Sequence, residues 1–208
     1  MDIQFYGANC VALTYKGNRL VVDDNLASLG GKDILRSDDI VLFTGEHPEV
    51  KVQARLIVDQ PGEYEVGDFS ITGIAAQAHM DDSTKKLATI YKITAGDVDV
   101  LITGHIYPDL SNAQQEAIGT VDVMVVPVGG NGYTLDAVGA LKVIKDVEPK
   151  LVIPTHYADK ALGYEVPQQD LAAALKELGM EPKETTAKLK LKSADFPDTT
   201  QLIVLEKS

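Results

Sequence analysis

The chain is poor in the features that mark several broad classes of protein. It has a single cysteine, Cys10, so no disulfide can form within it, and this suits a reducing compartment. It has no apolar run of about 18 residues, the length that predicts a membrane-spanning helix. Its first residues also lack the basic and apolar regions of a signal peptide. We therefore expect a cytoplasmic protein without a membrane partner.

Positive charge is scarce as well. The 208 residues include 19 Lys and Arg against 31 Asp and Glu, which gives a formal net charge of -12. Nucleic-acid-binding proteins neutralise phosphates with clustered Lys and Arg, so this composition predicts no nucleic-acid partner. One basic series, Lys188, Lys190 and Lys192, alternates with Leu189 and Leu191. The alternation favours an edge strand with a solvated lysine face over a binding patch.

Apolar patterning predicts strands in the first half of the chain and alternating strands and helices in the second. The predicted strands are Ile3–Tyr6, Val11–Tyr15, Arg19–Val22, Ile40–Phe43, Leu56–Val58, Phe69–Ile74, Leu87–Thr94, Val98–Ile102, Asp122–Val126, Leu151–Ile153 and Thr200–Leu205. A short helix is predicted after Ser111, and longer ones over Thr134–Val147 and Gln168–Leu178. This order indicates a mixed α/β layered fold. No Pro/Gly/Ser-rich linker interrupts it, so we expect one domain over residues 1–208.

The histidines share a common position relative to the predicted strands. Each of the four follows the C-terminal end of a strand within a few residues; they are His47, His79, His105 and His156. Loops at strand ends commonly carry functional sites, and neutral imidazole is a common metal ligand. One histidine in such a place is more often an ordinary loop residue. The coincidence of all four favours their convergence on one metal ion.

Several segments follow one another in an order and spacing that are typical of a known family. They are Phe5–Cys10, Leu20–Asp23, Gln60–Gly67, Asp122–Gly130, Tyr133–Ala137 and Pro149–Tyr157. Through these segments the chain resembles the metallo-β-lactamase superfamily, specifically its small metal-dependent hydrolases, over most of residues 3–157. The resemblance implies an αββα sandwich with a metal site at one edge, between the two sheets.

The main metal motif of that family, His-x-His-x-Asp-His, is only partly present. In the natural register, Gly45 and Val50 replace its first and last histidines. His47 keeps the second histidine, and Glu49 stands in place of the aspartate. Because Gly45 and Val50 have no side-chain donor, two ligands of a conventional two-metal site are lost.

The remaining metal positions of the family are also altered. His79 and His156 match later metal histidines, whereas His105 occupies the place of the bridging aspartate. A family histidine in the opening turn is replaced by Ala8. The resemblance thus leaves five candidate ligands, which are His47, Glu49, His79, His105 and His156. Such a set is enough for one zinc or other divalent transition metal per chain, and it is too small for two.

Two carboxylates are the candidate catalytic residues. Glu49 could serve as a ligand or as a general base. Asp23 ends a predicted strand and matches a supporting aspartate of the family, which would orient a ligand histidine through its other ring nitrogen. A simple turn aspartate is an equally good interpretation of Asp23. After His79, Asp81 and Asp82 favour a solvated loop over further site carboxylates.

Cys10 raises the alternative of a cysteine nucleophile. The sequence shows no base partnered with it, and buried cysteines usually behave as small hydrophobic residues. We favour that structural role.

Two functions are compatible with these residues. The first is a metal-dependent hydrolase-like protein, in which a single ion activates water for attack on a small-molecule substrate. The second is a non-catalytic metal- or ligand-binding relative that has kept the fold and lost hydrolysis. The lost ligands favour the second, and the retention of four histidines favours a surviving metal role. Both a monomer and an oligomer suit the composition.

Overall fold

Two β-sheets form the centre of the protein. The computed structural model describes residues 1–80, 87–192 and 196–208, so Asp81 and Asp82 lie outside the described residues. The first sheet contains, in spatial order, β13 (Leu189–Lys190), β1 (Asp2–Gly7), β2 (Cys10–Tyr15), β3 (Asn18–Val22), β4 (Ile40–Leu42) and β5 (Leu56–Val58). The second contains β12 (Pro182–Thr186), β14 (Gln201–Leu205), β11 (Leu151–Thr155), β10 (Val123–Pro127), β9 (Val98–Ile102), β8 (Ala88–Ala95), β7 (Phe69–Ala76) and β6 (Gly62–Val66).

The antiparallel part of the first sheet follows from its local sequence. Residues of β1 alternate between half-buried and buried, so Ile3 and Phe5 point into the protein. The hairpin between β2 and β3 turns on Lys16 and Gly17, whose φ angles are 46° and 84°. Positive φ at both central residues is what a two-residue turn of this kind needs, and glycine adopts it readily.

The main core lies between the two sheets. Leu13 and Leu20 from the first sheet and Ile93 and Val125 from the second are fully buried in one cluster. Every residue of β10 and β11 is buried, as expected for parallel strands that are covered on both faces.

Helices cover the outer face of the second sheet. They are α1 (Asn112–Ile118), α2 (Ala137–Val147) and α3 (Leu171–Leu178). Ser111 and Gln114 form a capping box at the start of α1, which satisfies backbone donors that the first turn leaves unpaired. Asp136 caps α2 by accepting a 2.7 Å hydrogen bond from the Gly139 amide, so this helix begins later than the predicted Thr134. Among the described helices, none is long and apolar enough to span a membrane.

The outer face of the first sheet is covered mainly by loops. In the described chain its helical element is a 3-10 helix, Leu26–Leu29, and Leu162 packs beside it. The αββα arrangement is confirmed, with this helical layer reduced. Cys10 is fully buried in the same layer, and burial raises the pKa of its thiol well above the usual value. This environment suits the structural role, because a nucleophilic cysteine needs a stabilised thiolate.

Two strands of the second sheet were not predicted from the sequence. β6 and β12 are its two edge strands. β12 is polar and exposed along most of its length. In β6 the alternation is short, because Tyr64 and Val66 are its only large apolar residues and both are half-buried. The edge of the first sheet was predicted correctly: Leu189 is buried in β13, and Lys188 and Lys190 are exposed. An exposed lysine row discourages pairing with another chain.

Candidate functional site

The carboxyl ends of parallel strands from both sheets meet at one edge of the sandwich. β3 runs parallel to β4 in the first sheet, and β9, β10 and β11 are parallel in the second. The ends of these strands border a cavity of about 640 Å³. All four histidines line it: His47, His79, His105 and His156.

His105 and His156 form a close pair inside this cavity. Their ring centroids are 4.4 Å apart, and the rings meet edge to face at 89°. His156 follows β11 directly, has a φ of 55°, and donates its backbone N–H to the Ala8 carbonyl at 2.7 Å. Positive φ is uncommon for a residue with a side chain, and functional sites often contain such conformations.

A hydrogen bond to Gln168 defines the tautomer of His156. Nδ1 of the imidazole lies 3.1 Å from Oε1 of Gln168, and Nε2 of Gln168 donates to the Val166 carbonyl at 2.9 Å. Because the amide oxygen can only accept, Nδ1 of His156 carries the proton. Nε2 of His156 is therefore unprotonated, and its lone pair can bind a metal ion. Metal-binding histidines typically donate their other ring N–H to a hydrogen-bond acceptor in this way.

Burial keeps both members of the pair neutral. It lowers the pKa of His105 well below its ordinary value of 6.5, and the nearby charges of His156 and His79 lower it further. Burial also lowers the pKa of His156, although the hydrogen bond that its imidazole donates to Gln168 partly opposes this effect. At neutral pH the cavity thus contains two unprotonated imidazoles, which is the form that binds metals.

The other two histidines are held differently. The His79 amide donates to the His105 carbonyl at 2.7 Å, and this places His79 beside the pair. His47 stacks on Phe43 with ring centroids 3.9 Å apart. Nδ1 of His47 lies 2.8 Å from the Pro48 carbonyl. Nε2 of His47 lies 3.4 Å from a carboxylate oxygen of Asp59, so contacts with Phe43, Pro48 and Asp59 account for the position of His47.

A buried hydrogen-bond network supports the pair from below. The Asp23 carboxylate accepts from the Asn9 amide at 2.6 Å and from the backbone and hydroxyl of Thr44, both at 2.7 Å. The Thr155 hydroxyl donates to Oδ1 of Asn9 at 2.7 Å. Burial raises the pKa of Asp23, and its hydrogen bonds lower it. Asp23 thus orients Asn9 and Thr44, and the described residues include no histidine among its hydrogen-bond partners.

Two glycines allow the loops to approach the site closely. A Cβ on Gly129 would collide with the backbone carbonyl of His156 and with the Gln168 side chain. Gly104 has a φ of 63°, and a Cβ there would collide with Thr44. These steric limits explain why glycine is found at Gly104, just before His105, and at Gly129, shortly after β10.

Aromatic and acidic side chains complete the lining. The Tyr133 ring centroid is 5.3 Å from that of His105, and the Tyr164 centroid is 5.1 Å from that of His156. Burial is the main reason that the pKa of Tyr164 rises to about 12, so its hydroxyl stays protonated and donates to a backbone carbonyl. Two exposed carboxylates, Glu46 and Glu165, also line the cavity.

A family model described as the beta-lactamase superfamily domain matches residues 2–156. The chain belongs to the β-lactamase superfamily. A protein of Natranaerobius thermophilus named metal-dependent hydrolase is 22% identical to this superfamily member over 76% of the chain and 83% of its own length. A protein of the same name from Carboxydothermus hydrogenoformans is 50% identical over 40 residues, which are 19% of the chain and 17% of that protein.

Solved structures show the same superfamily fold. A proposed zinc-dependent hydrolase of the metallo-β-lactamase superfamily from Thermotoga maritima is 25% identical, with a TM-score of 0.76 over 99% of this chain and 98% of its own. A proposed metal-dependent hydrolase from Parabacteroides distasonis is 16% identical, with a TM-score of 0.66 over 98% and 93% of the two chains. The names of these relatives imply a divalent metal in the family, and the residues of the present superfamily member can be tested against it.

Only part of a metal-ligand set is gathered in this superfamily member. His105 and His156 are adjacent neutral imidazoles, which suit transition metals. Within residues 1–80, 87–192 and 196–208, no three His, Cys, Asp or Glu side chains are grouped so that they could hold an ion. The described residues therefore fit two ligands of one ion, and they do not fit a two-ion centre, which needs several protein ligands for each ion.

The structure does not bring Glu49 to the histidines. Glu49 lines a second cavity of about 280 Å³, together with Asp24 and Lys51. Ser28 and Pro48 border both cavities. Glu49 does not line the cavity that holds the four histidines, so its role as a ligand or general base stays a prediction.

Several residues of the site carry no clear signal in the sequence. Asn9 lies in a segment that resembles the family, but a turn asparagine has many ordinary roles. Gln168 and Tyr164 follow His156 on a connecting segment without any chemical motif. Only the tertiary contacts with the His156 ring identify these two residues as parts of the site.

Proposed function

We propose that this superfamily member is hydrolase-like and that its site is reduced to at most one divalent metal ion, held by His105 and His156. Its cavity would take a small-molecule substrate. The observation that supports this proposal best is the close pair of imidazoles at the carboxyl ends of β9 and β11, the parallel strands on either side of β10. Zinc is the ion we favour, because imidazole suits it and it accepts an open water position.

The chain's own residues would serve this chemistry in distinct ways. An ion at the pair would supply a Lewis acid and a more acidic bound water. Gln168 keeps the Nδ1 proton of His156 in place and leaves Nε2 unprotonated. Asn9 holds Thr155, the residue before His156, by a buried hydrogen bond. His79 is the neighbouring candidate for a third ligand.

A second candidate function is that of a non-catalytic ligand-binding relative. The grouping of only two potential ligands favours it, since catalytic zinc sites usually have three protein ligands. In this case the cavity and its aromatic lining remain, and the hydrolytic chemistry has been lost. Fold alone does not choose between the two functions, because the activity depends on the site.

Metal analysis combined with turnover assays separates these functions. The untagged protein would be dialysed against zinc-containing buffer, its metal content measured, and ester, lactam and phosphodiester hydrolysis assayed. The hydrolase-like proposal expects close to one equivalent of metal and weak turnover, both lost in His105→Ala and His156→Ala. His47→Gln is the matched control, because local contacts hold His47, and it should keep both properties.

The other outcomes are equally informative. One equivalent of metal without turnover would support a metal-binding relative. Absence of both metal and turnover would support the ligand-binding relative. Two tightly held equivalents, or turnover that survives both alanine variants, would contradict the site proposed at His105 and His156.

A further inference from the structure

A single segment forms part of the wall of both cavities. Residues 45–48 line the cavity that contains the four histidines, and residues 48–52 line the second cavity. Residues 45–51, which lie between β4 and β5, therefore border both spaces. A movement of this segment would change the access to His105 and His156.

The backbone of this segment has few hydrogen bonds. In the part of the chain that the structure describes, no N–H group of residues 45–51 donates a hydrogen bond to another protein group. Among the same described residues, the Pro48 carbonyl is the one backbone acceptor of the segment with a partner, which is Nδ1 of His47. Val50 is half-buried but belongs to none of the three apolar clusters formed by the described residues. Neither hydrogen bonds nor apolar packing therefore fix the path of this backbone.

His47 attaches the segment to the rest of the fold. Its ring is stacked on the buried ring of Phe43, with centroids 3.9 Å apart and an interplanar angle of 8°. Nε2 of His47 lies 3.4 Å from a carboxylate oxygen of Asp59, which directly follows β5. Within the described chain, no other side chain of residues 45–51 makes a hydrogen bond, an ion pair or a ring contact. One imidazole therefore holds the whole segment in place.

Another long segment beside the same cavity is held more firmly. Residues 24–39 contain only a short 3-10 helix. However, the buried carboxylate of Asp24 accepts hydrogen bonds from the amides of Ile34 and Leu35 at 2.7 and 2.9 Å. Leu26 is buried in an apolar cluster with residues of the first sheet. Local opening costs least where buried contacts and hydrogen bonds are few, so residues 45–51 should open more readily than residues 24–39.

We propose that residues 45–51 are a gate between the two cavities and that His47 is the latch of this gate. When the His47 ring leaves Phe43, the segment moves away, the two cavities join, and His105 and His156 become accessible from the second cavity. The proposal shares its cavity with the proposed function and needs no metal ion. Since the turnover expected there is weak, access to the histidine pair does not limit it.

Trypsin digestion of the native full chain tests the opening. Lys51 lies in the gate and Lys32 lies in residues 24–39, and both are exposed. The cleavage rate after each lysine would be divided by its rate in the denatured chain, which removes the effect of local sequence. We expect faster cleavage after Lys51 than after Lys32, because proteases cut segments that open locally. His47→Ala should accelerate cleavage after Lys51 about tenfold, as expected for the loss of one aromatic stack, and should leave cleavage after Lys32 unchanged.

His47→Phe is the matched variant, because phenylalanine can stack on Phe43 and lacks the ring nitrogens. Its cleavage after Lys51 should stay within about twofold of the parent rate. Access to the histidine pair would be followed in chelator-treated protein by diethylpyrocarbonate modification of His105 and His156, mapped by mass spectrometry. We expect His47→Ala to raise both modification rates about tenfold and His47→Phe to leave them near the parent values. A phenylalanine variant that opens like the alanine variant would contradict stacking as the latch.

The outcomes decide between a gate and a fixed wall. Equal normalised rates after Lys51 and Lys32 in the parent would overturn the proposal, and so would equal acceleration at both lysines in His47→Ala, which reports global unfolding. Unchanged modification of His105 and His156 in that variant would overturn it too. Local opening in a protein without metal or turnover would support the gate while the hydrolase-like function fails. Metal binding and turnover at the pair, with no faster opening in His47→Ala, would give the reverse result.

Discussion

Asn9 donates a 2.6 Å hydrogen bond to the carboxylate of Asp23, and this bond joins two loops of the first sheet. Asn9 lies between β1 and β2, and Asp23 follows β3. Through its side-chain oxygen, Asn9 also accepts a 2.7 Å hydrogen bond from Thr155, the last residue of β11 in the other sheet. His156 is the next residue, so the position of its imidazole depends on a contact between sheets.

Removing Asn9 should destabilise the protein. In Asn9→Leu, Asp23 loses one of its donors and Thr155 loses its acceptor, and both groups are buried. We expect the free energy of unfolding to fall by about 1–3 kcal/mol, the cost of leaving buried polar groups unpaired. Urea denaturation measures this loss. The control is Asn112→Ala at an exposed position of α1, which should change stability by less than about 0.5 kcal/mol. Equal stability of the two variants would contradict a structural role for the network.

Substitution of Gly129 tests the close packing of the loops around His156. In Gly129→Ala the new methyl group meets the His156 carbonyl and the Gln168 side chain. We expect a loss of about 1–3 kcal/mol, typical of overpacking. Gly45→Ala is the matched control, because Gly45 also lines the cavity and a Cβ there has no heavy atom within 4 Å. Thermal unfolding of both variants should therefore separate them clearly, and a Gly129→Ala protein as stable as Gly45→Ala would show that the loops can move apart.

The neutral histidine pair should make the metal-free protein sensitive to acid. His105 has a folded-state pKa well below 6.5, so its imidazole stays unprotonated in the native state and takes up a proton on unfolding. The contribution of the neutral His105 to the free energy of unfolding is then complete above the pKa that this histidine has in the unfolded chain. It is lost as the pH falls below that pKa. For a strongly shifted histidine the loss by pH 5 reaches about 2 kcal/mol.

His105→Gln should flatten that pH dependence. Unfolding free energies of the parent and the variant would be measured in chelator from pH 7.5 down to pH 5, with each protein compared with its own value at pH 7.5. The difference between the two slopes should appear below pH 6.5, the ordinary pKa of the group. Parallel slopes would mean that His105 is protonated in the native state.

Cys10 should report on global unfolding rather than on activity. Its thiol is fully buried, and its pKa is raised well above the usual value by burial and by nearby aspartates that include Asp23 and Asp24. We expect iodoacetamide to modify the native protein at least about a hundredfold more slowly than the denatured protein, because reaction requires opening. An exposed thiol introduced by Glu184→Cys in a Cys10→Ala background gives the reference rate. Rapid modification of native Cys10 would contradict its burial and would revive the nucleophile hypothesis.

Much of the fold could be predicted from the sequence, because the information is local. Alternating apolar residues predicted the strands of β1 and β2, and capping residues such as Ser111 predicted where a helix begins. β6 and β12 were missed for the opposite reason. At the edges of a sheet many side chains face solvent, so β12 has no regular apolar alternation and β6 has only the short one of Tyr64 and Val66. Pairing with β7 and β14 therefore contributes more to forming these strands than their own apolar pattern.

The candidate site divides along the same line. The position of four histidines after predicted strand ends is visible in the sequence alone, and parallel strands carry such positions to one edge of a sheet. Tertiary contacts, which the sequence does not reveal, pair His105 with His156 and let Gln168 define the tautomer of the His156 imidazole. The tertiary structure also places Glu49 in the second cavity and makes Asn9 a hydrogen-bond donor to Asp23. Strand register is set by neighbouring residues, whereas Asn9 and Thr155, which are 146 residues apart, meet only because the two sheets pack face to face.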